Sequence, residues 1–121
     1  RGSLLWSRTA DGSRGLDGDE RLVFGVESDG RVIAWQRADG ERAWTSDELR
    51  YRGLNAPLVV GRSIAIGDAA GFVHLLSRQD GSLLNRLSTD GSAIVAPPVL
   101  VGDTLVVAGS REAVEALKGS F

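Results

Sequence analysis

His74 is the only histidine in this chain, and there is no cysteine. A histidine-based metal site usually needs three or four ligands, so His74 alone does not make one. A Ser/His/Asp triad would need a base aligned with a nucleophile and an oriented acid. Serines and aspartates are plentiful, but the Asp-Gly pairs at 29–30, 39–40 and 80–81 are accounted for as turns. His74 therefore reads as a strand residue. The acidic cluster Asp17-Gly18-Asp19-Glu20 could offer oxygen ligands to a hard cation, but it lacks the regular ligand spacing of a calcium loop. It reads as a solvated turn.

Two other features invite a binding role. Trp6 and Trp44 could stack an aromatic ligand, or could each anchor one sheet on the next by burying ~150–250 Å². Their recurrence at one repeat position favours the structural role, whereas Trp35 replaces an aliphatic residue and is expected in or near the core. The segment 47–55 carries Leu49, Tyr51 and Leu54 around Arg50 and Arg52. Loops on rigid scaffolds are common binding sites, and Tyr and Arg are enriched in interface hot spots. Leu49, Arg50, Tyr51, Arg52 and Leu54 are thus the candidate partner contacts. The competing reading is an ordinary connector whose apolar residues tuck between sheets.

Composition narrows the class. Of 121 residues 42% are hydrophobic and 25% charged, with a net charge of −2. Lys and Arg are scattered among Asp and Glu, without the concentrated basic surface that nucleic acid demands, so no nucleic-acid partner is expected. No apolar stretch approaches the ~20 residues of a membrane-spanning helix. With no methionine, residue 1 is not expected to be a translation start, and the chain is expected to be a piece of a longer product. Sixteen glycines among short β-branched runs point to an all-β protein with frequent reversals.

The elements that would position these residues emerge from internal repetition. Gly30 to Trp35 (GRVIAW) matches Gly71 to Leu76 (GFVHLL) and Glu112 to Leu117 (EAVEAL), in steps of 41 residues. The stretch around Pro57 (APLVVG) matches that around Pro98 (APPVLVG), and the tryptophan-bearing stretches ending at Trp6 and Trp44 match the one ending at Asn85. A period near 40 with four short apolar runs marks a propeller blade. Runs such as Leu22 to Phe24, Ile64 to Ile66 and Leu105 to Val107 are continuously apolar, as expected for strands covered on both faces. Ser110 to Gly119 has helix-forming residues and helix caps, yet the repeat register makes it a strand, and tertiary register outweighs propensity.

The expected architecture is an all-β propeller piece of about three four-stranded antiparallel blades. An outer strand at 3–8 is followed by blades at 12–47 and 55–89 and an incomplete blade at 95–121. Trp6, Trp44, Gly30, Gly71, Pro57 and Pro98 are its repeat anchors. Three blades do not close a ring, so exposed end faces and an unpaired 3–8 strand predict self-association of the isolated chain.

The repeat resembles that of quinoprotein-type propellers. More narrowly, WTSDELR from Trp44, IGDAAGFVH from Ile66 and APPVLVG from Ala96 resemble the C-terminal part of the BamB family of outer-membrane β-barrel assembly factors. Asn85 and Glu112 depart from the family's usual Trp and Gly. The resemblance implies an eight-bladed, non-enzymatic scaffold, lipid-anchored at the periplasmic face of the outer membrane. Its implied partners are the periplasmic domains of BamA and unfolded outer-membrane proteins. Family contact loops lie upstream of the matched part, so no established contact residue carries over. A quinoprotein-type dehydrogenase shares the repeat and is the alternative. Its cofactor is held by acidic, amide and basic side chains, often beside a vicinal disulfide; with no cysteine and no clear acidic–amide cluster here, no cofactor, metal or catalytic residue is expected.

Overall fold

Short β-branched and aliphatic runs separated by Gly-containing turns fold into eleven strands. The computed structural model describes residues 4–8, 15–110, 114–118 and 121. The strands are β1 (Leu16–Gly18), β2 (Leu22–Val26), β3 (Val32–Gln36), β4 (Arg42–Ser46), β5 (Leu58–Val60), β6 (Ser63–Gly67), β7 (Phe72–Ser77), β8 (Leu83–Ser88), β9 (Val99–Val101), β10 (Thr104–Ala108) and β11 (Val114–Lys118). They form three antiparallel sheets in chain order, β1–β4, β5–β8 and β9–β11, each a simple meander. No helix occurs among the described residues.

Alternation along the central strands explains the unbroken apolar runs. Ile64 and Ile66 of β6 pack with Phe24, Val26 and Ala34 of the first sheet. Ala65, between them, packs with Leu105 and Val107 of the third. Opposite side chains of one strand thus enter two different cores, and the central strands β6 and β7 of the second sheet are covered on both faces, while the outer strand β8 is exposed. Trp35 is buried against Gly25, where an added Cβ would come within 2.9 Å of the indole.

Equivalent registers repeat in sheets one and two. Val23 faces Trp35 as Ile64 faces Leu76, and both β3–β4 and β7–β8 carry a register shift, at Ala34/Trp35 and Leu75/Leu76. The turn aspartates cap these hairpins: Asp29, Asp39 and Asp80 accept the backbone N–H two residues on, at 2.9–3.0 Å.

The segment at 110–119, where propensity and register conflict, is strand over 114–118, paired Thr104↔Lys118 through Ala108↔Val114. The expected strand at 3–8 is different. Residues 4–8 join no ladder. Trp6 and Arg8 hold this segment to the first sheet by side chains instead. The Trp6 Nε1–H donates to the Arg37 carbonyl at 2.7 Å, and the indole covers Gly40. Arg8 reaches Glu41 at 2.9 Å. Strand geometry needs a backbone partner, and among the described residues none lies beside 4–8. The expectations at Gly2, Ser3, 12–14, Glu112 and Gly119 lie outside the described residues.

Candidate functional site

Between β4 and β5 the chain must cross from one sheet to the next, and this crossover holds the five candidate contacts. The structure separates them. Leu49 and Leu54 are buried in the core between sheets one and two. They cannot meet a partner, which corrects their placement among the contacts: an apolar side chain on a crossover gains more from the core below than from solvent. Arg50, Tyr51 and Arg52 remain at the surface.

The β2–β3 turn determines how the crossover lies. Gly30 has φ +93°, and an added Cβ would come within 2.6 Å of the Leu49 carbonyl oxygen. Gly71 repeats the arrangement in the next sheet, against Gly91 and Ser92 of the following crossover. Only glycine permits that contact at a positive φ. Asp29 then grips the loop twice, its carbonyl accepting Tyr51 N–H at 2.8 Å and its carboxylate accepting Arg50 Nη2–H at 3.2 Å. The Asp29 carboxyl is held below its usual pKa, first by the Arg31 backbone N–H and also by the charges of Arg31 and Arg50.

Tyr51 is the exposed point of this site. Its φ is +63°, the one positive value at a non-glycine residue among the described residues, and 79% of it is open to solvent. Arg50 braces the ring, with Nη2–H donating to Tyr51 Oη at 2.8 Å and Cζ 4.9 Å from the ring centroid. A left-handed tyrosine costs of order 1–3 kcal/mol. That strain holds an aromatic ring and a guanidinium out from the scaffold, an arrangement suited to contact with a protein surface.

Beneath Arg52 lies a buried polar chain that the sequence reading missed. Asp68 and His74 are both fully buried, with Nε2 2.7 Å from Oδ2. Arg86 Nε–H donates to His74 Nδ1 at 3.0 Å, so Nδ1 carries no proton and Nε2–H donates to Asp68. The other Asp68 oxygen accepts the N–H groups of Ala70 and Phe72 at 2.9 Å, and Arg52 Nη1 stands 3.9 Å from Oδ2. Burial pushes the His74 pKa down. Asp68 opposes that shift, while Arg86 and Arg52 reinforce it. With both ring nitrogens engaged, His74 is a brace for the β6–β7 turn and has no nitrogen free to act as a base. Its cross-strand partner Arg86 was the available sequence signal, but only once the register was known.

The acidic cluster is also structural. Asp17 Oδ2 accepts Val59 N–H of the second sheet at 2.8 Å, and Asp19 pairs with Arg78 at 3.0 Å. No group of three or more metal-ligating side chains occurs among the described residues.

Comparison with known proteins bears on this geometry. Residues 1–46 match the family described as outer membrane protein assembly factor BamB. Outer membrane protein assembly factor BamB of Burkholderia pseudomallei is 42% identical over 106 residues, 88% of this chain. The chain is a homologue of BamB over nearly its whole length. It spans 28% of that BamB relative, so it corresponds to part of a longer protein. The crystal structure of BamB from Moraxella catarrhalis superposes with a TM-score of 0.77 at 35% identity, covering 84% of this chain and 30% of that one. The all-β propeller reading is therefore that of BamB. A quinohemoprotein alcohol dehydrogenase from Pseudomonas putida shares only the fold, at 14% identity and a TM-score of 0.66 over 78% of this chain and 16% of its own.

Proposed function

We propose that this chain supplies blades to a non-enzymatic scaffold that serves outer-membrane protein assembly through protein–protein contacts. The observation that carries the reading is the 42% identity to an outer membrane protein assembly factor across 88% of the chain. The scaffold works at the periplasmic face of the outer membrane, lipid-anchored in the longer protein. The periplasmic domains of BamA and unfolded outer-membrane proteins are its partners. Within this chain the contact point is Tyr51, flanked by Arg50 and Arg52. A rigid, pre-strained aromatic loses little entropy on docking. Pull-down with the periplasmic domains of BamA tests this. Retention by the wild-type chain and reduced retention by Tyr51→Ser are expected, whereas equal retention of both removes Tyr51 from the contact.

The third sheet leaves Val99, Val101 and Val114 exposed on the face turned away from the second sheet. In the longer protein another blade covers such a face, and in the isolated chain a second copy takes that place. Native mass measurement reads the outcome directly: a strict monomer at high concentration would overturn self-association.

A further inference from the structure

The end of the sheets opposite Tyr51 carries a second surface. A groove of about 1120 Å³ runs there between sheets one and two. Its lining includes four guanidinium groups, those of Arg21, Arg42, Arg62 and Arg78. Arg78 is committed to the fold: it pairs with Asp19 at 3.0 Å and donates to the Gly61 carbonyl at 2.9 Å. Arg21, Arg42 and Arg62 are exposed and make no ion pair among the described residues. The lining also holds two carboxylates, Asp19, which Arg78 takes up and Arg21 faces by charge, and the exposed Glu20. Four arginines against two carboxylates still leave a local surplus of positive charge in a chain of net charge −2.

We propose that this groove binds an acidic, extended polypeptide segment. Guanidinium groups match carboxylates in fork geometry and remain charged at any physiological pH. The three arginines sit on three elements of two sheets: the β1–β2 turn, β4 and the β5–β6 turn. That spread suits a chain with several carboxylates better than one compact anion. The volume exceeds the ~300–1,000 Å³ of ordinary small-molecule clefts. Leu22, Leu84 and the amides of Gln36 and Gln79 line the same groove and offer a polypeptide both apolar and hydrogen-bonding contact. Both walls belong to this chain, sheets one and two.

Fluorescence anisotropy with a labelled Glu-rich peptide, and the same peptide with Gln in place of Glu, tests the assignment. The Glu peptide is expected to bind, the Gln peptide to bind far more weakly, and added salt to weaken the complex. The triple variant Arg21→Gln/Arg42→Gln/Arg62→Gln should lose about tenfold in affinity and each single variant about twofold. Circular dichroism checks that each variant is folded, and the exposed single variants keep the test open if the triple one is not. Equal binding of the two peptides, or an unchanged triple variant, would overturn the proposal. So would displacement by inorganic phosphate at the peptide's own concentration, which would mark a small-anion site. Arginine-dependent binding to anionic phosphatidylglycerol vesicles with no binding of the Glu peptide would mark a lipid surface instead.

Discussion

The indole of Trp44 lies against Gly81 of the neighbouring sheet, and its Nε1–H donates to the Arg78 carbonyl at 3.0 Å. Trp6 does the same one repeat earlier, on Gly40 and Arg37. The tryptophan thus joins one sheet to the hairpin turn of the next. The turn glycine is bare so that the ring can seat. Phe24 backs the Trp44 ring at a centroid distance of 6.0 Å.

Gly81→Ala should therefore destabilise the fold. The new Cβ would lie 2.5 Å from the indole, at a φ of +77° that alanine resists. A loss of about 1–3 kcal/mol is expected in urea titration, from backbone strain and ring displacement. Trp44→Leu should cost about 2–3 kcal/mol, below the value for a fully buried aromatic because Trp44 is only half-buried. The double variant should lose less than the two losses added, because both remove one contact. Full additivity would show that the ring and the glycine act separately.

The same contact shows what the sequence could and could not disclose. Trp6 and Trp44 were legible as packing anchors because repeated sheets bury equivalent positions in equivalent ways. The strand at 114–118 was legible for the same reason, despite its helical residues. Leu49 and Leu54 were not, since nothing local says whether a crossover leucine turns inward. Residues 4–8 share the repeat's tryptophan but form no strand, because a ladder depends on a neighbouring backbone and an anchor depends only on a side chain. The Asp68–His74–Arg86 chain stayed hidden because its members meet only across paired strands.

Asp17 should behave as a cross-sheet clamp. Asp17→Ala removes the acceptor of Val59 N–H and is expected to cost about 1 kcal/mol, with Asp17→Asn costing less because it keeps an oxygen. Calcium should leave the melting temperature of the wild-type chain unchanged, since oxygens of Asp17 and Asp19 already serve backbone N–H groups. A calcium-dependent rise would restore the cation reading of this cluster.

Tyr51→Gly separates folding from recognition. Glycine adopts the φ of +63° without strain, but its unfolded chain is more flexible. Stability should hold or rise by up to about 1 kcal/mol, while retention on the periplasmic domains of BamA falls. A variant that loses stability would mean the tyrosine ring and its Arg50 contact outweigh the backbone strain.

His74 gives the chain a pH signature that can be assigned without ambiguity, because no second histidine exists. Burial holds its folded pKa below the ordinary 6.5. Above pH 6.5 both folded and unfolded states carry a neutral ring, and the Asp68–His74–Arg86 chain is intact. As pH falls below 6.5, the unfolded chain takes up a proton that the folded ring refuses, so stability declines. The decline stops once pH passes the lowered folded value. Its slope cannot exceed about 1.4 kcal/mol per pH unit, the limit for one proton. The carboxyl groups of Asp19, Asp29 and Asp80 have folded pKa values below 3.8, so their stabilisation is lost only as pH drops beneath that value. For Asp19, burial alone would raise the pKa, and the N–H groups of Leu22 and Arg21 with the charge of Arg78 outweigh it. Urea midpoints measured between pH 7 and pH 4.5 should thus fall for the wild-type chain and stay nearly flat for His74→Gln. Equal slopes in both would mean that the ring is not held neutral by its surroundings.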